Sequence, residues 1–184
     1  LNDDYDASFL ANRKYDQVAG NIVAFFGYQS PLCDKDIRGT VQMTVASADS
    51  VLILEKYDIA LLKFKEAPPA VYQPHYLGWN ISSSPQAPYH GIHQPNGGIK
   101  KVAVENDPVV VASFEIPKYN MEKNAHWGVR AWDVGATEGG SSGSPLLDKE
   151  KRIIGTLTGG ESYCSSPKGP DVYASLHKAW LVEK

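Results

Sequence analysis

The chain has 184 residues, a formal net charge of −3, 42% hydrophobic residues and 21% charged residues. That length suits one domain or two small half-domains, and the hydrophobic share is enough for a packed core. There is no basic excess and no Lys/Arg-rich stripe, which argues against nucleic acid as a partner, and no apolar run approaches the ~20 residues of a membrane helix.

With 16 Gly, 12 Pro and 10 Tyr, the chain reads as short strands and many turns rather than helices. Residues 1–20 are polar and aspartate-rich, with Asn2-Asp3-Asp4 at the start, and read as a loop. Strands are expected over residues 21–28 and 40–45, the second alternating polar and apolar as a half-buried strand does. A mostly buried strand follows over residues 59–64, closed by Pro68-Pro69, and a linker through Pro74 leads to Leu77-Gly78-Trp79. Six more strands are expected at 90–93, 98–104, 109–114, 127–132, 152–157 and 172–176. Asn96-Gly97 is a strong hairpin signal. A short helix is expected over 177–184, and there is no internal repeat or low-complexity tract. Nearly all-β with spaced short strands means a sandwich or a barrel.

The stretch Thr137-Glu138-Gly139-Gly140-Ser141-Ser142-Gly143-Ser144-Pro145 places a serine in a turn of small residues. Glycines allow strained backbone angles and let a substrate carbonyl approach main-chain N–H groups. Upstream, Asp58 is a lone acid opening an apolar strand; downstream, residues 152–160 form a strand ending in Gly159-Gly160. All five histidines, His75, His90, His93, His126 and His177, follow Asp58. Cys33 follows the Gln29-Ser30-Pro31 turn, and Cys164 lies in the polar loop after Gly159-Gly160. Neither has a His or Cys at zinc-ligand spacing. Neither sits in an apolar run, which favours disulfides and an oxidising compartment over unpaired thiols in a reducing cytosol. No metal or cofactor site is expected.

An acid, then a serine in a glycine turn, then a glycine-ended strand: this order resembles the trypsin/chymotrypsin class of serine proteases. Within that class the chain most resembles the bacterial lysyl endopeptidase group. The resemblance rests on Gly78-Trp79, on Gly91-Ile92-His93-Gln94-Pro95-Asn96-Gly97 with Lys100-Lys101, and on Thr137-Glu138. It continues through Ser144-Pro145, Gly159-Gly160, Cys164 and Asp171-Val172-Tyr173. It implies two β-barrels, with residues 1–70 forming the later part of the first barrel and 71–184 the second. The first is then short by about half.

The resemblance implies roles. Ser142 is the nucleophile, and Asp58 orients the imidazole that takes its proton. The amides of Gly140 and Ser142 form the oxyanion hole. Animal trypsins carry an aspartate just before the nucleophile to receive a new N-terminus; here Ser141 stands there, so that switch is not expected. Ala136 occupies the usual pocket-floor position, and Asp171 aligns instead with the acid that gives the lysyl endopeptidases their basic specificity. Thr158 and Gly159 form the strand edge for the extended substrate, beside Thr137. In the lysyl endopeptidases a histidine occupies the Thr158 position. Glutamate-specific relatives use a histidine in the same strand; none occurs between Ile153 and Gly160, which argues against an acidic preference.

The resemblance also places the catalytic histidine before Asp58, on an upstream segment or second chain, with Cys33 and Cys164 paired to cysteines of that segment. No leader-like stretch opens the chain, so a secreted or periplasmic protein is met here in mature or cut form. The expected function is a secreted endopeptidase acting on peptides or proteins after lysine, or also arginine. Two alternatives stand beside it: an inactive protease homologue that binds a partner through the old cleft, and an unrelated all-β binding module.

Overall fold

The computed structural model describes residues 15–32, 37, 39–116 and 119–182, which divide into two compact units. The first falls within Leu1–Ile53 and Ala60–Tyr76. It opens on helix α1 (Tyr15–Asn21), where the sequence reads as a loop; only Ala19 of that helix is buried, so no apolar stripe announces it. Strands β1 (Val23–Phe25) and β2 (Thr44–Ala46) pair antiparallel, with Ala24 opposite Val45. Strands β3 (Ala48–Leu54) and β4 (Ile59–Phe64) form a second two-stranded sheet. Ser47 turns the chain between β2 and β3 at a φ of 66°; its amide donates to Ile22 O and its carbonyl accepts from Lys65 N. Phe26 packs against Phe64 and Tyr72, with ring centroids 6.3 and 5.8 Å away. Val23, Phe25, Val51 and Leu61 remain exposed.

The second unit comprises Leu54–Ile59 and Leu77–Lys184. Its strands are β5 (Tyr89–His93), β6 (Lys101–Glu105), β7 (Val110–Ala112), β8 (His126–Val129), β9 (Pro145–Leu147), β10 (Ile153–Gly160) and β11 (Asp171–Ser175). They make one sheet in the order β6-β5-β9-β10-β11-β8-β7, antiparallel at every described pairing. Helix α2 (Leu176–Val182) closes the described chain, as expected. The hairpin between β5 and β6 turns at Asn96 and Gly97, both at positive φ, 53° and 65°. That is the demand an Asn-Gly pair meets.

Two strands escape the sequence reading. β3 lies in a stretch given no element, and β9 is three residues long and starts on a proline. Proline is tolerated at the first position of a strand. β9 nevertheless lies between β5 and β10 in the interior of the sheet, and Leu146 and Leu147 are fully buried. It places the Gly/Ser turn that precedes it at the sheet's middle. The core is Tyr89, Ala103, Trp127, Val129, Trp132, Leu146, Ile154, Leu157 and Tyr173. Gly91 on β5 leaves the room that the Trp132 ring and the Tyr173 hydroxyl occupy; a Cβ there would press both at 3.2 Å.

Candidate active site

Two tight turns build the segment before β9, and they share Ser141. Ser141 N donates to Glu138 O at 3.0 Å, and Ser144 N donates to Ser141 O at 3.1 Å. Gly140 (φ 82°) and Gly143 (φ 80°) take the third position of each turn. A positive φ there is what a type II turn requires and what a side chain resists. The segment is tied on both flanks. Gly143 N donates to Leu157 O (2.7 Å) and Leu157 N to Ser144 O (2.9 Å), joining it to β10. Asn96 N donates to Gly139 O (2.7 Å), and Asn96 Nδ2 donates to Glu138 Oε2 (2.6 Å), joining it to the β5–β6 hairpin.

The two central serines point differently. Ser141 is 1% exposed, and its Oγ lies 2.8 Å from His93 Nδ1. Ser142 is half-buried. Among the described residues, the amides of Gly140 and Ser142 meet no acceptor. Two open main-chain donors beside a serine hydroxyl are what stabilisation of a developing oxyanion needs. Glu138 carries its charge readily: the Cys164 amide and thiol, then Asn96, hold its carboxyl below the usual range.

A second cluster centres on Asp171, which is fully buried. Its Oδ2 accepts from Trp132 Nε1 (2.6 Å), Thr137 Oγ1 (2.7 Å) and Ser162 Oγ (2.7 Å). Among the described residues its Oδ1 receives only the long bond from Ser162 N, 3.4 Å. Every partner is neutral. Thr137 and Asp171, singled out in the sequence 34 residues apart, are thus in direct contact. Trp132 and Ser162 were not singled out. The antiparallel pairing of β8 and β10 with β11 gathers them around Asp171, and no local spacing reports that pairing. On β10, Gly159 pairs with Val172 after a register shift between Leu157 and Gly159. Thr158 is buried with its hydroxyl unpartnered among the described residues.

Asp58 caps a short 3-10 turn (Glu55–Tyr57) in left-handed conformation, φ 54° and ψ 43°. This segment packs with the unit that carries Ser142, and Lys56 O accepts a 2.8 Å bond from Glu122 N. Four of the five histidines are occupied or enclosed, and His75 is exposed. His90 meets Lys151, His177 Nδ1 meets Ile81 O at 2.8 Å, and His126 is 1% exposed. Burial pushes the His126 imidazole down to about 4. Cys164 is an exposed free thiol, and Cys33 lies outside the described residues. No helix among the described residues is long and apolar enough to cross a membrane.

Residues 11–174 match the family described as lysyl endopeptidase, C-terminal domain. The chain is 30% identical over 160 residues to the lysyl endopeptidase of Pseudomonas aeruginosa, covering 82% of this chain and 32% of that protein. It therefore spans about a third of the length of this curated relative. Among solved structures, the active form of the Rv3671c protease from M. tuberculosis aligns with a TM-score of 0.52 at 17% identity, over 94% of this chain and 83% of that one. Its inactive form gives 0.50 at 15% identity, over 94% and 92%. At such identities the likeness is one of fold: a trypsin-like protease fold whose sheets do not close among the described residues.

Proposed function

The chain belongs to the lysyl endopeptidase C-terminal domain family, and on that footing we propose that it is part of a secreted serine endopeptidase cutting after lysine. Ser142 Oγ attacks the scissile carbonyl while an imidazole takes its proton. Asp58 holds that imidazole in its productive tautomer and stabilises the imidazolium. The amides of Gly140 and Ser142 receive the oxyanion. The imidazolium then protonates the leaving amine, and a water repeats the sequence on the acyl-enzyme. The imidazole comes from outside these 184 residues, since every histidine of the chain follows Asp58 and four have structural surroundings. In that assembly Cys33 and Cys164, whose thiol is free and exposed in this chain, pair with cysteines of the segment that carries it.

The observation that carries the lysine preference is the Asp171 cluster. A carboxylate buried without a cation is costly, and three neutral donors crowd one oxygen while the other stays nearly open. A substrate ammonium reaching Oδ1 completes the site, with Thr158 and Gly159 pairing to the extended substrate. The test is a set of matched peptides differing only in the residue before the cut. Asp171→Asn should lower kcat/KM for the lysyl peptide by roughly two powers of ten or more, and for neutral peptides far less. Equal losses would make Asp171 a structural acid and remove it from specificity.

A further inference from the structure

The nucleophile turn is held from inside by a histidine that the proposed triad does not use. His93, on β5, is 4% exposed, and its Nδ1 sits 2.8 Å from Ser141 Oγ. Ser141 is the corner shared by both turns: its amide donates to Glu138 O, its carbonyl accepts from Ser144 N, and its Oγ accepts from Glu138 N at 3.3 Å. The Glu138 amide fills one acceptor position of that hydroxyl. The hydroxyl proton is then free for Nδ1, which needs a neutral ring. Burial favours the neutral ring, against the smaller pull of Asp171 and Glu138. The other ring nitrogen, Nε2, meets no partner among the described residues. The described hydrogen bonding of the imidazole is therefore directed at Ser141.

Resting on the serine-endopeptidase reading above, we propose that His93 is a positioning residue: through Ser141 Oγ it fixes the peptide planes that aim the Gly140 and Ser142 amides and the Ser142 hydroxyl. Ser141 precedes Ser142 directly, so rotation of Ser141 tilts the Ser142 amide. Gly140 is equally constrained, because Ser141 N closes the turn in which Gly140 takes its positive φ. Oxyanion donors act best when pre-aligned, and a misplacement of about 1 Å is enough to lose rate. The effect of losing the His93 bond therefore belongs to the chemical step and not to substrate affinity.

The test compares wild type, His93→Leu, His93→Asn, Ser141→Ala and the His93→Leu/Ser141→Ala pair in the protein expressed from its own gene. Rates are counted per site labelled by a fluorophosphonate, with Tm measured alongside. His93→Leu should lower kcat per labelled site by about tenfold or more, with KM changed by about twofold at most. His93→Asn, whose amide can stand in for Nδ1, should restore most of it. Ser141→Ala alone should reproduce the loss, and the pair should be no worse than either single change. Unchanged kcat per labelled site in His93→Leu and Ser141→Ala, whatever their Tm, would overturn the inference, as would multiplicative losses in the pair. A Ser142→Ala protein that still hydrolyses peptides would instead overturn the endopeptidase reading, and the positioning role with it.

Discussion

At the scale of single residues, buried polar groups make the most exact demands. His126 is enclosed, with both ring nitrogens unpartnered among the described residues and its proton affinity pushed down to about 4 by burial. Above pH 6.5 the ring is neutral folded and unfolded, and its contribution to stability is intact. As the pH falls below 6.5, the unfolded chain takes up a proton that the folded chain refuses. Stability is lost down to about pH 4 and then levels off. The total is on the order of 3 kcal/mol. Denaturant titrations across that window should show a steeper slope in wild type than in His126→Leu, the remainder coming from groups such as His93 and His90, which burial also pushes down; a slope unchanged by the substitution would place the titrating group elsewhere. Gly160 is a second such site. A Cβ there would overlap Asp171 Oδ1 and the Pro170 carbonyl, so Gly160→Ala should cost about 2–4 kcal/mol and displace the carboxylate. A thermal melt unchanged by that substitution would show that the β10–β11 end can open to admit a methyl group.

At the scale of elements, the β5–β6 hairpin acts as a brace for the Gly/Ser turn that carries Ser142. Its tip residue Asn96 contributes two separable things: a backbone at φ 53°, and a side chain bonded to Glu138. Asn96→Gly keeps the backbone freedom and loses only the bond, whereas Asn96→Ala loses the bond and strains the turn as well. Asn96→Ala should therefore destabilise by about 1 kcal/mol more than Asn96→Gly in chemical denaturation. Equal destabilisation would mean that the Glu138 bond, and not the turn geometry, is what Asn96 supplies. Asn96-Gly97 was legible because left-handed conformation has few takers, and the glycines at 140 and 143 were legible for the same reason. β9 was not: three residues beginning with Pro145 carry no periodicity, and only pairing to β5 and β10 makes them a strand. Helix α1 was missed because one buried alanine makes no stripe. The Asp171 cluster was half legible. Thr137 and Asp171 came from motif resemblance, but Trp132 and Ser162 reach the carboxylate through strand pairing that the sequence does not display.

At the scale of the whole molecule, the two units differ in how much they bury. The second has a seven-stranded sheet over one contiguous core. Among its described residues the first has two two-stranded sheets with Val23, Phe25, Val51 and Leu61 exposed. Two-stranded ladders are marginal alone, and exposed apolar strands invite association. Hydrogen exchange on residues 1–184 should find β8, β10 and β11 the slowest and β1 to β4 the fastest. Equal protection in both units would contradict this ranking. On the proposed reading, which takes the imidazole that activates Ser142 from outside the chain's own histidines, the same chain alone should hydrolyse no lysyl peptide; activity in it would assign the base to one of the five.

The proposed function makes Ser142, and no neighbouring serine, the nucleophile activated by its surroundings. Mass spectrometry after reaction of the protein expressed from its own gene with a fluorophosphonate tests this most directly. A single adduct on Ser142 is expected, abolished in Ser142→Ala and slowed in Asp58→Asn. An unlabelled wild type, or an adduct on Ser141 or Ser144, would contradict it.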